Sequence, residues 1–173
     1  MRVIGLAGWS GAGKTTLLTR LIPCLHGLGI AVSTVKHAHH AFDADRPGKD
    51  SWLHREAGAR QVLVGSARRW ALMTELRGEP EPGLAFLLSR LSPVDLVVVE
   101  GFKRDRHPKI EVHRAANAKP WLHPGDPAIR ALAADAPPPP GAGLPFASLD
   151  DVDGIAELAL RHAADVDTLL RGG

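Results

Sequence analysis

The chain holds one cysteine, Cys24, so no intrachain disulfide can form, and the lone thiol points to a reducing compartment. Long apolar runs are missing too: none approaches the roughly 20 residues needed to span a bilayer. The first apolar stretch, residues 2–12, is cut by glycines and runs straight into Lys14, unlike a secretory segment. The expectation is a cytoplasmic protein with no membrane partner. Net charge is slight as well, 21 Lys+Arg against 19 Asp+Glu for a formal +2, too little to argue for nucleic acid. No internal repeat and no second domain stand out, so the chain reads as a single domain over residues 1–173. At that length a core forms without disulfides or a structural metal.

What stands in excess is glycine and proline, 18 and 14 of 173 residues, which calls for a reason in so compact a chain. Residues 2–7 (RVIGLA) read as a buried strand that breaks at residues 8–13. A helix follows, with Leu17, Leu18, Leu21, Ile22, Leu25 and Leu28 at three- and four-residue spacing, a kink expected at Pro23, and stops at Gly27 and Gly29. A second strand is predicted at 30–35, then a polar stretch over 36–49 and a short helix over 50–57 capped by Asp50 or Ser51. Strands at 61–64 and 70–74 flank 65–69, and a helix at 83–91 leads into 95–99 (DLVVV), the strongest buried-strand signal in the chain. After a basic loop at 101–107 come strands at 109–113 and within 128–134. Residues 136–143 (APPPPGAG) form a stiff connector. A final helix is predicted over 152–170, with Ile155, Leu158, Ala159, His162, Val166 and Leu169 on one face. Strands alternating with helices predict an α/β fold with a largely parallel sheet flanked by helices. Ligands in such folds collect at the carboxyl ends of the strands.

Residues 8–15 (GWSGAGKT) satisfy GxxxxGK[ST] between a strand and a helix, the context that a phosphate-binding P-loop requires. Composition alone yields only about 0.005 chance matches to this pattern in such a chain. The glycines let backbone N–H groups turn toward phosphate oxygens, Lys14 reaches the terminal phosphates, Thr15 offers a hydroxyl to Mg²⁺, and the helix N-terminus adds its positive end. Glu100, closing the DLVVV strand, takes the place of a Walker B acid that binds Mg²⁺ or orients a water. Asp43, Asp45 and Asp50 follow the second strand, where switch segments of P-loop GTPases contact metal. One of the three is expected to do so, with turn and cap roles for the others. Two roles stay open for Trp9, stacking on a ring or covering the nucleotide, while Trp52, Trp70 and Trp121 read as core or interface residues.

Three segments together resemble the molybdopterin-guanine dinucleotide biosynthesis adapter family, MobB: residues 8–16 (GWSGAGKTT), 35–59 (VKHAHHAFDADRPGKDSWLHREAGA) and 95–103 (DLVVVEGFK). The middle one is the most specific, with Lys36-His37, His39-His40, the Asp43/Asp45 spacing and Pro47-Gly48-Lys49-Asp50-Ser51 all in order. The resemblance covers residues 1–135 and extends weakly through the last helix. It implies a P-loop protein that binds GTP with Mg²⁺, hydrolyses it slowly at most, and works beside the MobA-like guanylyltransferase that attaches GMP to molybdopterin. It also implies a homodimer with a sheet extended across subunits.

On this reading the nucleotide set is Gly8, Ser10, Gly11, Ala12, Gly13, Lys14, Thr15 and Thr16, joined by His37, Lys49, Lys103 and Asp135. The metal set is Thr15, Asp45, Asp50 and Glu100, and Lys14 and Glu100 carry whatever hydrolysis occurs. Arg46 and Lys49 in one loop, and Lys103, Arg104, Arg106, His107 and Lys109 in another, are expected as cationic donors at the P-loop rim for molybdopterin or its guanine dinucleotide. The cluster His37, His39 and His40 admits a phosphate or pterin contact, a transition-metal site or a structural role. Asn117-Ala-Lys119-Pro120 has proline where a guanine-reading NKxD motif has aspartate, so Asp135, after the predicted 128–134 strand, is the candidate reader, with a turn residue as the alternative. A P-loop small-molecule kinase is the main rival, with Arg68 and Arg69 as lid arginines, although no stretch of lid length surrounds them. A GTPase metallochaperone is disfavoured by the single cysteine and the short histidine cluster.

Overall fold

The computed structural model describes residues 1–38 and 42–170. Their chain packs as two compact units, one holding residues 1–37 and 84 onward, the other residues 38–83. Among the described residues no helix is long and apolar enough to cross a membrane.

The first unit is built on β1 (Arg2–Ala7), α1 (Lys14–Gly27) and β2 (Val32–Lys36), all in the predicted order. The second strand begins two residues later than its sequence suggests. Ile30 N–H is taken by the Leu25 carbonyl at the end of α1, and Ala31 N–H by the Asp95 carboxylate at 2.8 Å. The second unit supplies α2 (Asp50–Glu56) and the antiparallel pair β3 (Gln61–Gly65) and β4 (Trp70–Thr74). The first then resumes with α3 (Leu84–Leu88), β5 (Leu96–Glu100), β6 (Lys109–His113), β7 (Ile129–Ala134), the short β8 (Phe146–Ser148), α4 (Val152–His162), β9 (Ala164–Asp165) and α5 (Val166–Leu170).

The strands of this unit form one sheet in the order β2-β5-β1-β6-β7-β8. Every pairing along that path is parallel, and β9 adds an antiparallel contact to Arg2 and Val3. The α/β, P-loop NTPase-like reading of the sequence therefore holds. Period-two alternation divides each central strand between two cores. Ile4, Leu6, Leu96, Val98, Ile110 and Val112 pack with Leu17, Leu21 and Leu25 of α1 and Ile155 and Ala159 of α4. Val3, Val97, Val99 and Val35 turn the other way, onto Leu84 and Leu88 of α3 and Val166 of α5.

The predicted single helix over 152–170 is corrected by the structure, which breaks it at Ala163. The Arg2 guanidinium donates to the carbonyls of Leu160 and Ala163, closing the end of α4 as a basic side chain can. Val166 N–H then goes to the Met1 carbonyl at 2.9 Å. Helical periodicity alone carries no trace of Arg2, a partner some 160 residues away.

Alternation on β6 has a second consequence. With Ile110 and Val112 inside one core, Lys109, Glu111 and His113 line the opposite face, and each fixes part of the 114–128 crossover. Lys109 Nζ donates to the carbonyls of Lys103 (3.1 Å) and Asp105 (2.6 Å) and to the Asp126 carboxylate (3.0 Å). The fully buried Glu111 accepts from the N–H groups of Leu122 (2.7 Å) and His123 (2.9 Å). His113 stacks on Trp121 at 3.9 Å between centroids and bonds the Lys119 carbonyl. The expectation that His107 and Lys109 serve the P-loop rim is thereby corrected: both are buried, and Lys109 is used internally.

In the second unit Arg55 is the centre. Its guanidinium holds both oxygens of Asp43 at 2.8 Å and Glu75 at 2.8 Å, and its Nε lies 3.5 Å from Asp45. Asp43 and Glu75 keep Arg55 charged well above its ordinary range, and Arg55 holds the Asp43 carboxyl below its own. The expected side-chain cap of α2 is also corrected. Lys49 occupies the N-cap position without a side-chain bond, and Ser51 donates instead to Asp45 at 2.8 Å.

His107 is buried against Gly5, and neither of its ring nitrogens finds a partner among the described residues. Burial, reinforced by Lys109, lowers its pKa from 6.5 to about 4. The folded state therefore keeps it neutral, while the unfolded chain takes up a proton below about pH 6.5. Stability should fall as pH drops from about 6.5 toward 4, by up to about 3 kcal/mol. Denaturant titrations of the wild type and His107→Gln across this range check the point: the variant should lose this share of the slope, whatever its absolute stability.

Candidate functional site

The loop between β1 and α1 starts at the carboxyl end of the sheet's central strand. Gly8 has φ 153°, and a Cβ there would lie 2.4 Å from the Val112 carbonyl oxygen of β6. Gly13, at φ 89°, is the N-cap of α1, and no side chain caps that helix start. The N–H groups of the first turn have no carbonyl four residues back within the helix, so they form a donor set suited to an anion. Lys14 Nζ curls back over the loop to the Gly8 and Trp9 carbonyls, both at 3.0 Å. Burial lowers the Lys14 pKa, Glu100 partly offsets this, and Lys103 and Lys36 push it lower still. A bound anion would relieve that crowding of positive charge.

Glu100 ends β5, paired in register with Leu6 of β1 on one side and Lys36 of β2 on the other. Its carboxylate accepts from the Thr15 hydroxyl at 3.1 Å. Hydroxyl and carboxylate are both hard oxygen ligands, and Mg²⁺ on a nucleotide needs only one or two from the protein because phosphates and water supply the rest. The donor set thus fits a nucleoside phosphate with Mg²⁺. Among the described residues no group of three His, Cys, Asp or Glu side chains could hold a metal ion.

The remaining sequence candidates are distributed as follows. Ser10, Gly11, Ala12 and Thr16 lie in the loop and first turn, with Ala12 buried and Ala12 N–H bonded to the Trp9 carbonyl. Lys103 Nζ lies 5.6 Å from the centre of the Trp9 ring, on the loop. His37 donates its N–H to the Glu100 carbonyl at 2.8 Å and stacks on Phe102. Asp135 follows β7 and accepts from Ala115 N–H at 2.9 Å. Lys49, Asp45 and Asp50 belong to the second unit. Lys49 and Asp50 are exposed at the start of α2, and Asp45 accepts from Ser51 and from Arg46 N–H while facing Arg55. His39 and His40 lie outside the described residues.

Two residues against the loop escaped the sequence reading. Asn117 donates through Nδ2 to the Ser10 carbonyl at 3.2 Å, and Arg114 lies on Gly13. The Trp9 indole also donates to the Pro120 carbonyl at 2.7 Å, which joins the loop to the crossover. The one sequence signal at Asn117 was an NKxD-like match, which its proline discounts.

The chain is similar to known proteins over most of its length. The family described as molybdopterin guanine dinucleotide synthesis protein B matches residues 3–135. A molybdopterin-guanine dinucleotide biosynthesis adapter protein of Escherichia coli K12 is 45% identical over 163 residues, covering 91% of each chain. One of Haemophilus influenzae is 47% identical over 121 residues, covering 68% of this chain and 66% of that one. A crystal structure of molybdopterin-guanine biosynthesis protein B superposes with a TM-score of 0.70 at 30% identity, over 98% of this chain and 99% of that one. With the P-loop seated on the central strand and the match running through most of the chain, the protein belongs to the MobB family.

Proposed function

We propose that this protein is an adapter in molybdopterin guanine dinucleotide biosynthesis, binding GTP with Mg²⁺ at its P-loop and acting beside a MobA-like guanylyltransferase. The observation that carries the nucleotide reading is the convergence at the end of β1: an uncapped helix start, Lys14 folded over the loop, and the Thr15–Glu100 pair one strand across. Gly8, Ser10, Gly11, Ala12 and Gly13 shape the cradle, and the N–H groups of Lys14, Thr15 and Thr16 bind phosphate oxygens. Lys14 exchanges its two carbonyl partners for the terminal phosphates. Thr15 and Glu100 would hold Mg²⁺, which would supply charge neutralisation for the phosphates. A metal role for Asp45 would require it to give up Arg55, whereas Asp50, at the head of α2, makes no side-chain hydrogen bond or ion pair among the described residues.

Asp135 is assigned to the N1–H and N2–H₂ donors of guanine. Its Oδ1 already fixes the turn at Ala115, which leaves Oδ2 as the acceptor. Adenine lacks those donors, so an unpaired carboxylate disfavours ATP. Lys103 and His37 lie on either side of Glu100 in sequence and pairing and form a basic side offered to the phosphate of molybdopterin or to its guanine dinucleotide, and Lys49 is a further candidate donor. Slow hydrolysis by Lys14 and Glu100 is compatible with a protein whose main work is holding or delivering ligands.

The homodimer rests on the β3–β4 ribbon. Leu63 pairs with Leu72, and Trp70 lies on the same face two residues along. These side chains are 65%, 49% and 68% exposed in the single chain. An isolated two-stranded ribbon is marginal in water, and an exposed apolar face of this kind suits a second copy.

Titration calorimetry with MgGTP and MgATP tests the nucleotide reading. The wild type should prefer GTP, and Lys14→Ala should weaken GTP binding at least about tenfold, the loss expected for a charge-assisted phosphate contact. A preference for ATP would refute the guanine assignment. Added to the transferase with molybdopterin and MgGTP, the protein should raise the yield of guanine dinucleotide while turning over little GTP alone. Sedimentation of Leu63→Glu/Leu72→Glu should show monomers with GTP affinity retained; an unchanged dimer would place the interface elsewhere.

A further inference from the structure

The β6–β7 crossover begins with a single 3-10 turn, Ala115–Asn117, for which Arg114 is the N-cap in an extended conformation. Three residues complete one turn of such a helix, so Arg114 and Asn117 project from the same side, and that side meets the phosphate loop. Asn117 bonds the Ser10 carbonyl, and its Oδ1 lies 3.3 Å from where a Cβ on Gly11 would stand. Arg114 Nε lies 2.9 Å, and its Nη2 3.4 Å, from the corresponding point on Gly13. The guanidinium therefore rests on the residue immediately before Lys14.

Its backbone is fixed from both directions. Asn117 N–H donates to the Arg114 carbonyl at 3.1 Å, and Ala115 N–H donates to Asp135 at 2.9 Å. The Trp9–Pro120 bond adds a further tie between turn and loop. Other arginines have evident structural employment: Arg2 closes α4, Arg20 donates to the carbonyls of Leu149 and Asp150, and Arg55 gathers three carboxylates. The Arg114 guanidinium makes no hydrogen bond or ion pair among the described residues. A planar fork of five donors held on a phosphate loop without a carboxylate is a pre-organised anion clamp.

Sheet order says which side of the phosphates it serves. β1 lies between β5 and β6, so Glu100 and Thr15 approach from the β5 side and Arg114 from the β6 side. We propose that Arg114 is a phosphate-binding residue of the nucleotide site, contacting the phosphate chain on the side away from Glu100 and Mg²⁺. The assignment rests on the P-loop reading above. It also gives Asn117 and Asp135 a positioning role, since they hold the turn that presents the guanidinium.

The test measures GTP binding to the wild type, Lys14→Ala, Arg114→Ala and Arg114→Lys, and the displacement of a fluorescent GTP analogue by inorganic tripolyphosphate, which has no base. Arg114→Ala should weaken both GTP and tripolyphosphate at least about tenfold, as loss of a charge-assisted contact does, and Arg114→Lys should recover part of it. Unchanged GTP affinity in Arg114→Ala overturns the proposal. A loss for GTP without one for tripolyphosphate also overturns it, assigning Arg114 to the base or ribose. If Arg114→Ala melts early by circular dichroism, Arg114→Gln replaces it in the same comparison. A wild type that binds no nucleotide refutes the P-loop reading itself, an outcome distinct from wild-type binding that Arg114→Ala leaves intact.

Discussion

The close approach of the phosphate loop to the exit of β6 is the constraint on which the site depends. Gly8 lies under the Val112 carbonyl, Gly13 under Arg114, and Gly11 under Asn117, at distances that leave no room for a larger residue without rearrangement at Gly8 and Gly13. The loop has few backbone hydrogen bonds of its own, and its shape is supplied by its neighbours. Lys14 braces it from within through two carbonyls, and the 3-10 turn braces it from outside through Ser10 and Trp9.

The crossover beyond that turn is held in place by a line of polar side chains on β6. Lys109, Glu111 and His113 would be costly on a covered face if left unpaired, and each is satisfied by a successive part of the crossover. Buried hydrogen bonds of this kind contribute modest net stability, yet leaving any of them unmade is expensive, so they select one path for the connection. The same strand thus serves two purposes through its two faces. Ile110 and Val112 join the core with α1 and α4, while the polar side fixes the crossover that follows β6.

Much of this was legible in the sequence. The P-loop, the DLVVV strand with Glu100 at its end, and the order of strands and helices are local patterns, readable because alternation and helical spacing repeat over a few residues. The Thr15–Glu100 pair follows from two such motifs brought together by parallel pairing of β1 and β5. Other features were not legible because their cause lies far along the chain. Arg2 breaks the last helix from the opposite end of the sequence. Lys109 reads as a rim cation until its strand is found to be covered. Arg114 looks like one surface arginine among many until the 3-10 turn lays it on Gly13.

The division has a physical basis. By itself the sequence determined the family, the α/β class and the P-loop motif, since those depend on periodicity, backbone permissiveness and short patterns that are local. Only the tertiary structure decided which charges are spent and which are available. Arg55 is consumed by Asp43, Asp45 and Glu75, and Lys109 by Asp126 and two carbonyls, whereas Arg114 keeps its donors beside the loop. A charged side chain's role depends on its partners and its burial, and both are set by residues that meet only when the sheet assembles.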